Sequence, residues 1–169
     1  MLAHRSPLKR NVRPHCMHQL ELKIPPPAVA VLVGLAMWFA SRVGPSLELP
    51  LLARGITFAV IALAGGAAGL SGNLAFKRAQ TTPNPFKPQN ASSLVITGVY
   101  RFTRNPMYLG LLLVLLGWAT FLCSVFALLG PVAFVAYIAR FQIVPEERVL
   151  LAKFGAPYSE YLASVRRWL

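Results

Sequence analysis

The sequence contains no aspartate, and its five acidic residues stand against seventeen lysines and arginines. Charged residues make up 13% of the chain and hydrophobic residues 56%, whereas a typical soluble domain has about 25% charged residues. A chain of 169 residues with this composition cannot hide its apolar surface inside one small soluble domain. The scarcity of charge therefore excludes an ordinary soluble protein and indicates a membrane-embedded one.

Histidine and cysteine are also scarce. The three histidines all lie within the first 18 residues, and the two cysteines, Cys16 and Cys123, are far apart and belong to no CxxC pair. This pattern predicts neither a disulfide framework nor a thiolate metal site. It also leaves the apolar part of the chain with few side chains able to act as general bases.

The net charge of +12 could indicate nucleic-acid binding in a soluble protein. Here the cations flank apolar runs and form no continuous polar face. We therefore expect membrane lipids with anionic headgroups as partners, and no nucleic acid. The sequence leaves the oligomeric state open.

Four apolar spans predict an all-α polytopic membrane protein with about four transmembrane helices. A bilayer-crossing helix needs about 20 apolar residues, and the second and fourth spans meet that length best. Gly65, Gly69 and Gly72 in the second span favour close helix packing. The spans are predicted at about 26–40, 49–76, 106–122 and 125–144.

The distribution of cations predicts the orientation. Fifteen lysines and arginines flank one side of the spans, and only Arg42 and Arg54 lie on the other. By the positive-inside rule, both termini and the loop at 77–105 face the cytoplasm, in what we expect to be a bacterial inner membrane. Residues 1–24 are interpreted as a basic tail, with Met17 as an alternative start, and residues 25–169 as a single domain.

Two polar islands interrupt this apolar pattern. The first, 98–110, reads GVYRFTRNPMYLG and runs directly into the third span. Asn105 is predicted as the N-cap and Pro106 as the first helical residue, which would present free N–H groups suited to an anion. A basic membrane anchor with interfacial aromatic residues is the alternative interpretation of the same residues.

The second island follows the fourth span. Pro145 is predicted to open a new helix, with Glu146 and Glu147 in its first turn, where the helix dipole favours anions. The two carboxylates either pair with Arg101, Arg104 or Arg140 in a structural role, or bind a cation or a ligand amine or ribose. Gly155 and Pro157 are predicted to end that helix. An amphipathic surface helix up to Leu169 follows, with Tyr158 and Tyr161 as interfacial anchors.

The motif at 98–110 resembles the isoprenylcysteine carboxyl methyltransferase family and its phospholipid N-methyltransferase relatives. Glu146-Glu147, the following Phe154-Gly155 and the tyrosines Tyr158 and Tyr161 resemble it too, so the resemblance covers about residues 50–169. It implies an integral membrane methyltransferase that uses S-adenosylmethionine at a cytoplasmic loop.

The resemblance also implies functional residues. Glu146, Glu147 and Arg104 are the candidate catalytic residues, and no metal site is expected. The acceptor would be a lipophilic or small molecule bearing a carboxylate, amine or thiol. Cofactor contacts are implied at Ser92, Ser93, Leu94, Val95, Tyr100, Asn105, Pro106, Met107 and Tyr108.

Two positions depart from the family pattern. Asn105 stands where many members have histidine, and Gln142 stands where eukaryotic members have a substrate-contacting arginine, so a prenylcysteine acceptor is not expected. The alternative function is that of a small non-enzymatic membrane protein, a carrier or an assembly factor. A conduit would place ionisable residues deep within its spans, and these spans contain none there.

Overall fold

The computed structural model describes residues 21–79 and 93–169, and over these ranges the chain is all-helical, as predicted. The only extended pairing within them is a single bridge between Ser46 and Ser124. A 3-10 turn at Gly98–Arg101 precedes α3, and a second one at Phe126–Leu128 leads into α4. The helices are α1 (Pro26–Ala40), α2 (Leu51–Arg78), α3 (Pro106–Leu122), α4 (Leu129–Ile138), α5 (Val144–Phe154) and α6 (Ala156–Ser164).

Two helical stretches in the described part of the chain are long and apolar enough to cross a bilayer. They are α2, with 28 residues, and the continuous stretch Phe126–Phe154, with 29 residues. The other two apolar helices, α1 and α3, have 15 and 17 residues. The crossing of the membrane by all four therefore stays a prediction.

The fourth span does not end where the sequence predicted. Helix α5 begins at Val144 and has Pro145 and both glutamates in its first turn, as predicted, but a π-helical turn at Ala139–Ile143 joins it to α4 without a break. Proline removes one backbone donor and crowds the carbonyl four residues earlier. A widened turn accommodates both effects, and such turns occur often at functional sites.

Helix α3 lies at the centre of the bundle, between α2 on one side and α1 and α4 on the other. The glycines of α2 do pack as predicted, because Gly65 and Gly69 face Gly110 of α3 and Gly72 faces Pro106. The core between α1, α3 and α4 is closed by buried apolar side chains that include Met37, Leu115, Phe134 and Ile138. Most of the surface of α2 stays exposed, as expected of a helix that faces lipid.

The C-terminal part differs from the predicted surface helix. Helix α6 ends at Ser164, and Val165 is extended. Tyr158 and Tyr161 are buried against the protein and do not anchor it at the interface. The helix ends because the following backbone carbonyls accept hydrogen bonds from the loop before α3, which pulls the chain away from a helical course.

Candidate active site

The loop before α3 is held by the C-terminal segment. The N–H of Arg104 donates to the carbonyl of Arg166 at 3.0 Å, and Thr103 Oγ1 and Asn105 Nδ2 both donate to the carbonyl of Arg167, at 3.1 and 3.0 Å. Helix α3 begins at Pro106 as predicted, but the Asn105 side chain does not cap it. That side chain donates instead to the carbonyl of Arg167, which joins the loop to the tail.

Glu146 lies opposite the first turn of α3. Tyr108 Oη donates to Glu146 Oε1 at 2.5 Å. Within residues 21–79 and 93–169, no lysine or arginine forms an ion pair with Glu146. A half-buried carboxylate without a cation loses part of its hydration and has no countercharge to replace it, so this position is suited to a cationic group.

Gln142 adds a second uncompensated group beside Tyr108. Its side chain is fully buried, and its Nε2 finds no hydrogen-bond acceptor in the described part of the molecule. The π-helical turn directs this amide inward toward the Tyr108 hydroxyl. The Tyr108 hydroxyl is close enough to interact with this amide, but Nε2 makes no well-formed hydrogen bond to a described residue, so it is a candidate contact for a ligand oxygen. We call Tyr108, Gln142 and Glu146 the Glu146 site.

Glu147 differs sharply from its neighbour. It accepts from Arg104 at 3.0 Å and from Arg167 at 2.6 Å, and Arg104 also donates to the carbonyl of Leu162 at 2.9 Å. The predicted structural pairing with Arg104 is confirmed, whereas Arg140 pairs with Glu21 instead. Glu147 thus joins α5 to the loop and to the C-terminal tail, and the hydrogen bond to Glu147 raises the pKa of Arg167.

Three buried tyrosines, Tyr100, Tyr158 and Tyr161, lie near this group of charged side chains. Tyr161 Oη donates to the carbonyl of Tyr100 at 2.7 Å, and the Tyr100 ring meets the edge of Phe76 at the end of α2, with centroids 5.3 Å apart. Burial, followed by the nearby Tyr161 and Glu146, raises the pKa of Tyr100 above its usual value. Burial likewise raises the pKa of Tyr158, and that of Tyr161 to about 12. All three are therefore neutral near pH 7.

The remaining predicted contacts lie on the chain leading to this loop. Ser92 lies outside the described residues. Ser93 Oγ donates to the carbonyl of Ala79 at 3.5 Å, which links this segment to the end of α2, and Val95 is buried while Leu94 is half-buried. The structure thus brings together Tyr100, Tyr108 and Glu146, with Arg104 and Glu147 adjacent, and it places Asn105, Pro106 and Met107 at the start of α3.

The family resemblance placed Gln142 at a substrate-contacting position, but sequence reasoning did not place Tyr161 or Arg167 in this constellation. Gln142 carried a usable signal, because it is a lone amide in an apolar run. Tyr161 was assigned to the membrane interface, and Arg167 had no signal at all. The contacts of Tyr161 and Arg167 arise because the C-terminal segment folds back against the loop before α3.

The structure thus places a polar cluster at one end of a bundle of apolar helices. Comparison with known families identifies the class of protein to which the chain belongs. Residues 55–156, more than half of the chain, match the phospholipid methyltransferase family, and the chain belongs to that family. Membership implies that it is a methyltransferase of membranes, and the long apolar helices agree with this.

The chain is also similar to an uncharacterized protein of Haemophilus influenzae. The two are 49% identical over 63 residues, which are 37% of this chain and all of that protein. No solved structure matches the chain.

Proposed function

We propose that this protein is an S-adenosylmethionine-dependent methyltransferase that methylates an amine at the cytoplasmic face of the membrane. The observation that carries the proposal is the uncompensated carboxylate of Glu146, held by Tyr108 at 2.5 Å beside the free amide of Gln142. This combination offers one negative charge and one neutral donor to a ligand.

The start of α3 fits the cofactor. The first N–H groups of a helix have no partner within it, and together with the dipole they favour an anion. In α3 these groups belong to Met107 and Tyr108, and they suit the cofactor's carboxylate, while the ring of Tyr100 suits its base or its positive sulfur. S-adenosylmethionine would supply an already activated methyl group. Ser92, Ser93, Leu94, Val95, Asn105 and Pro106 complete the proposed cofactor contacts.

The charges favour an amine over a carboxylate as the acceptor. A carboxylate would need a cation beside it, and the charge of Arg104 is already balanced by Glu147, with only its Nε left without a partner among the described residues. A protonated amine is attracted to Glu146 and must lose a proton before its lone pair can react. Glu146 is placed to take that proton, while Tyr108 fixes the orientation of its carboxylate.

Glu147 and Arg104 have a positioning role in this proposal. Their ion pair is mostly buried, with side chains 15% and 12% exposed, and it is completed by Arg167. It holds the loop, the tail and α5 at fixed separations. Such positioning, together with the exclusion of water, accounts for much of the catalysis when the leaving group is already activated.

The test is methyl transfer from radiolabelled S-adenosylmethionine to a membrane lipid extract by purified protein. We expect Glu146→Gln to lower the rate by roughly 100-fold or more, because the general base is lost, while cofactor binding by calorimetry persists. Glu160→Gln is the matched control, because it removes an exposed carboxylate from α6.

Wild-type turnover by a folded Glu146→Gln protein would exclude the proposed role of this residue. Methylated products recovered as esters or thioethers would replace the amine with another acceptor. A folded wild-type protein that binds no S-adenosylmethionine would support the alternative of a carrier or an assembly factor.

A further inference from the structure

The segment that precedes α1 docks on the π-helical turn. Pro145 has no N–H, so it cannot donate to the carbonyl of Phe141, four residues earlier. The N–H of Leu22 donates to this carbonyl at 3.1 Å. Leu22 does so with a φ of 57°, a left-handed conformation that is unfavourable for a residue other than glycine. Such strain persists only where the surrounding contacts enforce it.

Glu21 supplies those contacts. Its side chain is 3% exposed and accepts from Arg140 at 3.0 Å and from Arg148 at 3.5 Å. Arg140 lies in the π-helical turn and Arg148 in α5, so the single carboxylate bridges the two sides of the Pro145 junction. We call Glu21, Leu22, Arg140, Phe141 and Arg148 the Glu21 clasp.

Stability alone is a weak explanation for this arrangement. Burying a carboxylate is costly, and both arginines are about half exposed, at 49% and 48%, so they could be solvated without it. The clasp contacts the backbone segment between residues 140 and 148 at both of its ends, through Arg140 and Arg148. That stretch carries both Gln142 and Glu146, and both side chains lie beside Tyr108.

We propose that Glu21 is a positioning residue that holds the π-helical turn so that Gln142 and Glu146 face the acceptor. The inference rests on the proposed function. Glu21 lies outside the residues that match the family, which are 55–156, so the clasp is a property of this chain and is not implied by its membership.

The experiment compares full-length wild-type protein with Glu21→Gln, Arg140→Gln and the double variant. Lys23→Gln is the matched control, because it removes an exposed charge from the same segment. Two readouts are taken: hydrogen exchange of the amides at 140–148, and the kcat and KM of methyl transfer with S-adenosylmethionine and a lipid extract.

We expect Glu21→Gln to accelerate exchange at 140–148 and to lower kcat by roughly 10- to 100-fold, since small misplacements of reacting groups have effects of this size. The KM for S-adenosylmethionine should stay unchanged, because the cofactor contacts lie on other elements. The double variant should be no slower than the worse single one, because both residues belong to one ion cluster. Lys23→Gln should behave as wild type.

Wild-type exchange in Glu21→Gln overturns the clasp. Faster exchange with unchanged kcat overturns its positioning role. If the wild-type protein transfers no methyl group, the proposed function fails, and exchange at 140–148 alone then decides whether the clasp orders this turn.

Discussion

Three glutamates at the same end of the bundle have three different surroundings. Glu21 and Glu147 each accept from two arginines, whereas Glu146 accepts only from a tyrosine hydroxyl among the described contacts. A buried carboxylate with two cations is satisfied and holds elements together. The one that lacks a cation is the one we propose as the ligand-binding group, and this contrast distinguishes it from the other two without reference to the family.

The pKa of Tyr161 predicts a loss of stability in alkali. An unfolded tyrosine ionises near pH 10, while burial raises the pKa of Tyr161 to about 12. Its contribution is therefore complete below pH 10 and is lost as the pH rises toward 12. Unfolding in detergent, followed by tryptophan fluorescence at pH 9 to 12, should show stability falling over this window and a shallower fall in Tyr161→Phe. An identical fall in both proteins would contradict the assignment.

At the scale of elements, helix contacts depend on where the small residues face. The glycine pattern of α2 predicted close packing, but only the structure shows that its partner is α3, since any apolar helix could have taken that place. The start of α3 was predictable because asparagine followed by proline is a local signal. The π-helical turn was not, because a proline in this position is also a signal for the start of a new helix.

Replacement by alanine should have opposite effects on stability at two neighbouring glycines of α2. A Cβ at Gly65 would lie 2.6 Å from the carbonyl oxygen of Gly110, whereas a Cβ at Gly66 would meet nothing within 4 Å. We expect Gly65→Ala to destabilise the protein by about 1–3 kcal/mol through overpacking, and Gly66→Ala to be neutral or slightly stabilising, because alanine favours helix. Melting in detergent checks both, and equal melting temperatures would refute the close contact.

At the scale of the whole molecule, composition and charge predicted an all-helical membrane protein, and the family match agrees. The sequence did not predict that the C-terminal segment folds back against the loop before α3. It follows from hydrogen bonds to the carbonyls of Arg166 and Arg167, and backbone acceptors have no sequence signature. The burial of Tyr158 and Tyr161 is part of the same return.

The distribution of cations predicts that both termini lie in the cytoplasm. Fluorescent-protein and alkaline-phosphatase fusions in a bacterial host test this directly. A fluorescent protein joined after Leu169 should fluoresce, and alkaline phosphatase inserted after Ser46, between α1 and α2, should be active. Active phosphatase at the C-terminus would reverse the orientation and place the Glu146 site on the opposite face.

The length of α2 ties the site to the thickness of the bilayer. Its 28 residues extend about 42 Å at 1.5 Å per residue, while the hydrocarbon core measures about 30 Å. The helix must tilt or emerge to match, and Phe76 near its end rests on Tyr100. We therefore expect the position of Tyr100 to depend on the acyl chain length of the surrounding lipid.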